Sequence, residues 1–312
     1  MEILVHTFYE ISFLKIVFSL MTLFMIIGGG LMNNIEHFLP VFFTQTFRYG
    51  KFAYRGKPSS LKLIEVPKRW FKHFYVFGAV YTTLAMATAF YVYFLSGTSP
   101  SYLSALLDLL TSRDRKASGS AESCFLALCL LTIHTWHRLY ETWCVSIFSE
   151  SRINIAHYVV GYLHYFGSVS AILAESPGFT NTKDLNATFR LKDITSLDIY
   201  GCALFLWACY HQYKCAVILA NLRKNHKGEV VTYEHRIPHG DWFELVSSPH
   251  LLSEVLMYLA LALVLRGSHT WLFVFLWVFC NQVESALLAH WWYLSNFKDY
   301  PKQRRAILPY IL

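Results

Sequence analysis

The chain has 312 residues, of which 55% are hydrophobic, 17% aromatic and only 15% charged, with a mean hydropathy of +0.35. Soluble domains average about 25% charged residues, so this composition excludes a pair of soluble domains and leaves an integral membrane protein. The formal net charge of +7 reflects topology and anionic headgroups, because no RNA- or DNA-binding pattern accompanies it.

Apolar stretches near the ~20 residues that cross a bilayer fall at about 11–31, 71–95, 122–148, 153–175, 197–221, 249–265 and 270–293. The expected fold is an all-α integral membrane protein of about seven transmembrane helices, in a single multi-span domain over 1–312. The leader MEILVHTFYE holds acids but no Lys or Arg, and the first apolar run passes into Gly28-Gly29-Gly30 without a small-x-small cleavage site. It reads as an uncleaved helix. The loop 32–70 is basic and aromatic, an interfacial segment in which Glu65 stands out as a lone acid beside Pro67. With seven spans, the loops on this side and the C-terminal tail carry 17 Lys and Arg, against 7 in the opposite loops. The basic side is therefore expected in the cytosol, with the C-terminus there and the N-terminus in the lumen.

The loop 96–121 is Ser-rich with mixed charge and receives no function. In the third span, His134, Arg138 and Glu141 project on one helical face with His137 beside them. An Arg–Glu ion pair accounts for two of these; the two histidines point to a functional face. The next lumenal loop carries the acceptor sequon Asn186-Ala187-Thr188. In the fifth span Trp207, His211 and Lys214 share a face with Gln212 beside them, and Arg223-Lys224 follow at the boundary. Snorkelling explains the last two, but not the deeper group.

A serine cap at Ser248 with Pro249 in the first turn opens the sixth span. His250, Glu254 and Tyr258 then share one face, at spacings of four. The last span places Asn281, Gln282, Glu284 and His290 among Phe, Trp, Leu and Val. Ionisable groups cost about 2.5–3.5 kcal/mol each in a lipid-embedded helix, so they face a cavity, a partner or a ligand. A polar site is expected between these two helices. The seven cysteines (124, 129, 144, 202, 209, 215 and 280) all fall in expected spans at irregular spacing and read as small apolar fillers. No GxGxxG, GxxxxGK[ST] or CxxC pattern occurs, so a nucleotide would be held by helix faces and loops.

The strings VPKRWFKHFY (66–75), HRLYETWCVSIFS (137–149), HQYKCAVILANLRKN (211–225), RIPHGDWFELVSSPHLLSE (236–254) and HWWYLSNFKDYPKQRRAILPYIL (290–312) resemble the steroid 5-alpha-reductase family, in its polyprenol reductase branch. They cover about the last three quarters of the chain, in the family's order. The resemblance implies a 3-oxo-5-alpha-steroid 4-dehydrogenase-like enzyme of the endoplasmic reticulum membrane. Such an enzyme uses NADPH to reduce the alpha-isoprene double bond of a long-chain polyprenoid on the way to dolichol, the carrier lipid of protein N-glycosylation. It further implies that Arg223, Glu254 and His290 line the cofactor, with His250 where relatives have Asn and most of the cofactor site within 160–312. Arg138, His211, Gln212, Lys214 and Tyr293 complete the expected cofactor site. Glu65 aligns with the acid that acts at the substrate carbonyl in the steroid enzymes. Thr135 replaces their aromatic-hydroxyl donor, so Glu65 and His134 are the expected catalytic groups.

A 3-oxo-steroid substrate is the alternative within the family. An isoprenylcysteine-type methyltransferase wants an RHPxYxGE-like string that is missing here, and a di-iron hydroxylase wants several HxxHH boxes. A seven-helix receptor or transporter would group its polar residues at a midplane or outer pocket, whereas these concentrate towards the cytosolic ends. The expected partners are the lipid substrate and the bilayer, with no obligate protein partner evident.

Overall fold

Of seven long helices, six start where a short polar side chain or a proline can satisfy the first turn. The computed structural model describes residues 12–48, 65–180 and 187–312; the leader 1–10, the bases Lys51, Arg55, Lys57 and Lys62, and Asn186 of the sequon lie outside them. Helix α1 (Phe13–Ile35) is capped by Ser12, and a short α2 (Val41–Phe47) follows. Next come α3 (Phe71–Phe94) and a short α4 (Ser101–Leu110) inside the loop that received no function. Helix α5 (Ala121–Tyr140) is capped by Ser120, α6 (Ile155–Ala174) by Asn154, and α7 (Ser196–Asn221) by a Thr195–Asp198 capping box. Helix α8 (Pro249–Val264) has proline in its first turn, and α9 (His269–Asn296) is capped by Ser268. The expected Ser248 cap differs: its side chain makes no capping hydrogen bond, and its buried hydroxyl has no hydrogen-bond partner among the described residues.

Helices thus stand at all seven expected places. Four segments, Phe13–Phe38, Lys68–Phe94, Ser196–Asn221 and His269–Asn296, are long and apolar enough to cross a membrane, so the protein is a multi-pass membrane protein. Helices α5, α6 and α8 fall short of that measure. The first two carry histidines and other polar groups, and α8 is only 16 residues long. Helix α5 also ends early: Glu141–Val145 widen into a π turn, an irregularity frequent at functional sites.

The core runs through α3, α5, α6, α7, α8 and α9, with Leu131, Val169, Phe205, Leu261 and Val274 fully enclosed. Helices α7 and α8 approach closely at Gly201, where a Cβ would collide with Val264 and reach within 3.0 Å of the Ala260 carbonyl. Away from the basic loops, buried acids tie the chain turns together. Asp198 accepts from Ser123 and Arg266 at 2.8 and 3.0 Å, and Glu175 accepts from Ser118, Ser268 and Thr270. At the basic end an antiparallel ribbon pairs β1 (Glu65–Pro67) with β2 (Arg152–Asn154), joining the chain entering α3 to that entering α6.

Candidate active site

A cavity of about 850 Å³ opens among α1, α3, α5, α6, α7, α8 and α9, near the upper end of the ~300–1,000 Å³ usual for small-molecule sites. Its wall changes character along its length. Lys68 and Arg223, just outside helix ends, with His235 and Arg236 of the loop between α7 and α8, supply basic groups; Tyr75, Arg138, Gln212, His250 and Glu254 supply a polar middle. Leu20, Met21, Phe24 and Met25 of α1, with Phe47, Trp277 and Val278, supply an apolar part.

The polar middle is organised around Glu254. Its Oε1 stands 3.1 Å from His134 Nε2, and its Oε2 accepts from Gln212 Nε2 at 2.6 Å. The same Gln212 nitrogen also donates to the His250 carbonyl at 3.2 Å. The shared face of α8 continues to Tyr258, whose hydroxyl lies 2.6 Å from His164 Nε2. One layer away, Arg138 pairs with the buried Glu141 and donates Nη2 to the Tyr75 hydroxyl at 3.0 Å. His137 stands 3.3 Å from the other oxygen of Glu141. Glu141 stands one helical turn beyond His137 and Arg138, so a buried carboxylate meets two cationic or proton-bearing partners rather than lipid.

At the basic end the loop 236–248 is clamped from both sides. His211 Nδ1 lies 2.9 Å from Asp241 Oδ2 and stacks on Trp242 with ring centroids 4.2 Å apart, while Lys214 Nζ approaches Asp241 at 3.6 Å. From the C-terminal side, buried Arg304 donates to the Pro238 carbonyl at 2.8 Å and to Glu244 at 3.1 Å. Ser247 Oγ joins His290 Nδ1 and the Tyr300 hydroxyl, at 2.7 and 2.6 Å, and Tyr300 stacks on Tyr293. Arg223 donates to the Ile147 carbonyl, with His235 Nε2 3.5 Å from its Nη2. Burial lowers the Arg223 pKa from its ordinary value, a direction that a bound anion opposes. The Gly240 N–H, with Arg304, holds the Glu244 carboxyl below the usual carboxylate range.

Of the residues expected from the sequence, Arg138, Gln212, Arg223, His250, Glu254 and Tyr293 line the cavity. The others stand elsewhere. His134 is fully buried behind Glu254, and His211 and Lys214 hold the loop through Asp241. His290 reaches the wall only through Ser247. Glu65 lies in β1, its Oε2 3.8 Å from Arg152 Nε, and does not line the cavity. Thr135, at the position of the missing tyrosine, is buried and exchanges a 2.9 Å hydrogen bond with Thr82 of α3. Sequence reasoning missed Lys68, Tyr75, His164 and His235 on the wall. Lys68, Tyr75 and His164 are polar or basic residues at or inside an apolar span and His235 lies in the basic loop after the fifth, but nothing local distinguished them from interfacial anchors.

Four buried polar atoms on this wall, Gln212 Oε1, Ser248 Oγ, His164 Nδ1 and Glu284 Oε1, have no hydrogen-bond partner among the described residues. Buried polar atoms are normally satisfied, so the wall fits a ligand with several donors and acceptors. A basic part, a polar middle and an apolar part on one wall fit both a soluble anionic group and a lipid-like molecule. The family model for 3-oxo-5-alpha-steroid 4-dehydrogenase matches residues 179–312. The polyprenal reductase of Drosophila melanogaster is 39% identical over 310 residues, covering 97% of this chain and 94% of the relative. That of Homo sapiens is 38% identical over 273 residues, 86% of each chain, and that of Caenorhabditis elegans 37% identical over 270 residues, 85% of each. The chain belongs to the steroid 5-alpha-reductase family, alongside these polyprenal reductases, and is a reductase acting on CH–CH groups. A nicotinamide cofactor is consistent with a family of this kind.

Proposed function

We propose that the protein reduces the alpha-isoprene double bond of polyprenal with NADPH, a step of dolichol formation that supports protein N-glycosylation. The observation that carries this reading is the single cavity that joins Arg223 and its neighbouring cations to the apolar flank of α1 through the buried carboxylate of Glu254. Arg223 and Lys68 suit the phosphates, because guanidinium and ammonium groups bind phosphate by charge-assisted hydrogen bonds. Gln212, His250, Glu254 and Tyr293 would hold the remainder of the cofactor. When bound, the nicotinamide supplies a hydride to the β carbon.

The aldehyde is the favoured acceptor on chemical grounds. An electron pair arriving at the β carbon of a conjugated aldehyde moves through the α carbon to the carbonyl oxygen. An isolated allylic alcohol has no such sink. The chain's own work is then to align the chain of isoprene units, exclude water and meet the charge growing on oxygen. A donor placed there in a dry site is commonly worth about 2.7–4 kcal/mol. Of the two groups expected from the sequence for this task, His134 acts through Glu254 as a positioning residue, and Glu65 braces the ribbon. On this reading the protein sits in the endoplasmic reticulum membrane, with the basic end and the C-terminus in the cytosol, where NADPH is supplied; the excess of Lys and Arg on that side supports it.

Mass analysis of microsomal lipids after incubation with NADPH and either polyprenal or polyprenol tests the reading. The expected result is a product two hydrogens heavier from polyprenal, and none from polyprenol when dehydrogenases are absent. Reduction of a 3-oxo-steroid but of neither polyprenoid would replace it with the steroid alternative.

A further inference from the structure

Glu284 lies at the middle of α9, 6% exposed and on the cavity wall. Gly29 of α1 faces it so closely that a Cβ there would fall on the carboxyl group. Glycine at that position makes the room. Asn33, one turn further along α1, donates its Nδ2 to Oε2 at 3.1 Å, while Oε1 is the buried oxygen without a hydrogen-bond partner among the described residues. Two helices therefore cooperate to seat one carboxyl group on the cavity wall, fix one of its oxygens and leave the other without a partner among the described residues.

An ionisable side chain at this depth is costly and is retained only against a partner. The wall around it narrows the chemistry of that partner. Met25, Trp277 and Leu288 are apolar, Asn281, Gln282 and Ser285 of α9 are neutral and polar, and α1 brings no cation to the wall. A phosphate would meet no compensating charge here. A polyprenoid, in contrast, is a hydrocarbon with a single oxygen, at C1. One unsatisfied polar atom in a wall without cations matches one polar atom in an apolar ligand.

We propose that Glu284 in its protonated form, oriented by Asn33 and accommodated by Gly29, donates a hydrogen bond from Oε1 to the C1 oxygen of the lipid substrate. This rests on the polyprenal reading above and supplies the group that meets the oxygen. Asn33 is a positioning residue in this arrangement.

The test uses the full chain in lipid nanodiscs, with Glu284→Leu, Glu284→Gln and Asn33→Ala. Glu284→Leu is expected to raise the KM for polyprenal about tenfold or more, as loss of a hydrogen bond to a charged or strongly polar group does, with the KM for NADPH nearly unchanged. Glu284→Gln, which keeps a donor and the shape, should stay close to wild type, and Asn33→Ala should fall between. A second readout needs no turnover: a short polyprenal should raise the melting temperature of cofactor-free wild type more than the hydrocarbon of equal length. Glu284→Leu should respond to both alike. A wild-type KM for polyprenal in folded Glu284→Leu, or equal melting shifts in wild type, overturns the contact and leaves the Tyr75–Arg138 pair as the donor to test. A parallel rise in the KM for NADPH overturns it too. If Glu284→Leu does not fold, a lipid KM in Asn33→Ala equal to wild type overturns it in its place. If wild type reduces no polyprenal yet keeps the aldehyde-specific melting shift, the functional reading fails while the contact stands.

Discussion

Arg223 and His134 separate two ways in which a single side chain can serve this site. Arg223 stands at the cavity mouth just past the end of α7, where a 2′-phosphate would require a cation. Arg223→Ala is expected to raise the KM for NADPH by roughly tenfold or more while leaving that for the lipid unchanged, the loss of a charge-assisted contact being worth about 1.5–3 kcal/mol. Steady-state kinetics with each substrate varied in turn will read this, and equal wild-type kinetics with NADPH and NADH would remove the assignment. His134 is expected to act differently, because it is buried behind Glu254 rather than on the wall. His134→Ala strips a buried carboxylate of one partner, which costs about 3–5 kcal/mol when no new partner forms. The melting temperature should fall and the KM for NADPH rise, with partial rescue by His134→Gln. A loss of kcat alone, at unchanged stability and KM, would instead make His134 a direct proton donor.

At the scale of elements, the C-terminal tail is the part that keeps the loop 236–248 over the cavity. A bridge between Val246 and Arg305, with hydrogen bonds of 2.7 and 3.1 Å, fixes the register, and Arg304 closes it from inside. Arg304→Ala should therefore speed proteolysis within 236–248 and raise the KM for NADPH, whereas exposed Arg305, holding the loop through its backbone, should tolerate alanine. The Glu244 anchor adds a pH dependence. Its folded carboxyl titrates below the ordinary value because Gly240 N–H and Arg304 favour the charged form. The stabilisation is accordingly complete above the unfolded pKa of about 4.5 and fades as pH falls through the lower folded value. Limited proteolysis of the loop should rise only in that acid range in wild type, and already at neutral pH in Glu244→Gln. The effect is modest and salt-sensitive, since the Glu244 side chain is half exposed.

For the molecule as a whole, the charge asymmetry of 17 against 7 Lys and Arg predicts an orientation. A C-terminal tag should be digested by protease added to sealed microsomes, and Asn186, on the opposite side, should accept a glycan that endoglycosidase removes. A protected tag would invert the protein and separate the cavity mouth from cytosolic NADPH. Orientation and mouth stand or fall together, because Arg223, Lys68, His235 and the clamped loop all occupy the basic end.

The sequence by itself determined where the helices lie and which face of α8 carries its polar groups, because apolar run length and the 3.6-residue period are properties of one segment. It also carried the family, through strings such as DWFELVSSP, and the Arg138–Glu141 pair, which spans a single turn. Only the tertiary structure decided which polar groups share a space. The turn period gives the direction in which Glu284 points along its own helix, but its partner Asn33 lies 251 residues away on α1. Glu65 is as conspicuous in sequence as Glu254, yet the pairing of β1 with β2 turns it towards Arg152 and off the cavity. His211 and Lys214 share a helical face as expected, but the return of the loop at Asp241 makes that face a clamp rather than a wall. A burial pattern is written locally; the identity of the neighbour that fills it depends on how distant segments pack, and that is what assembles this site.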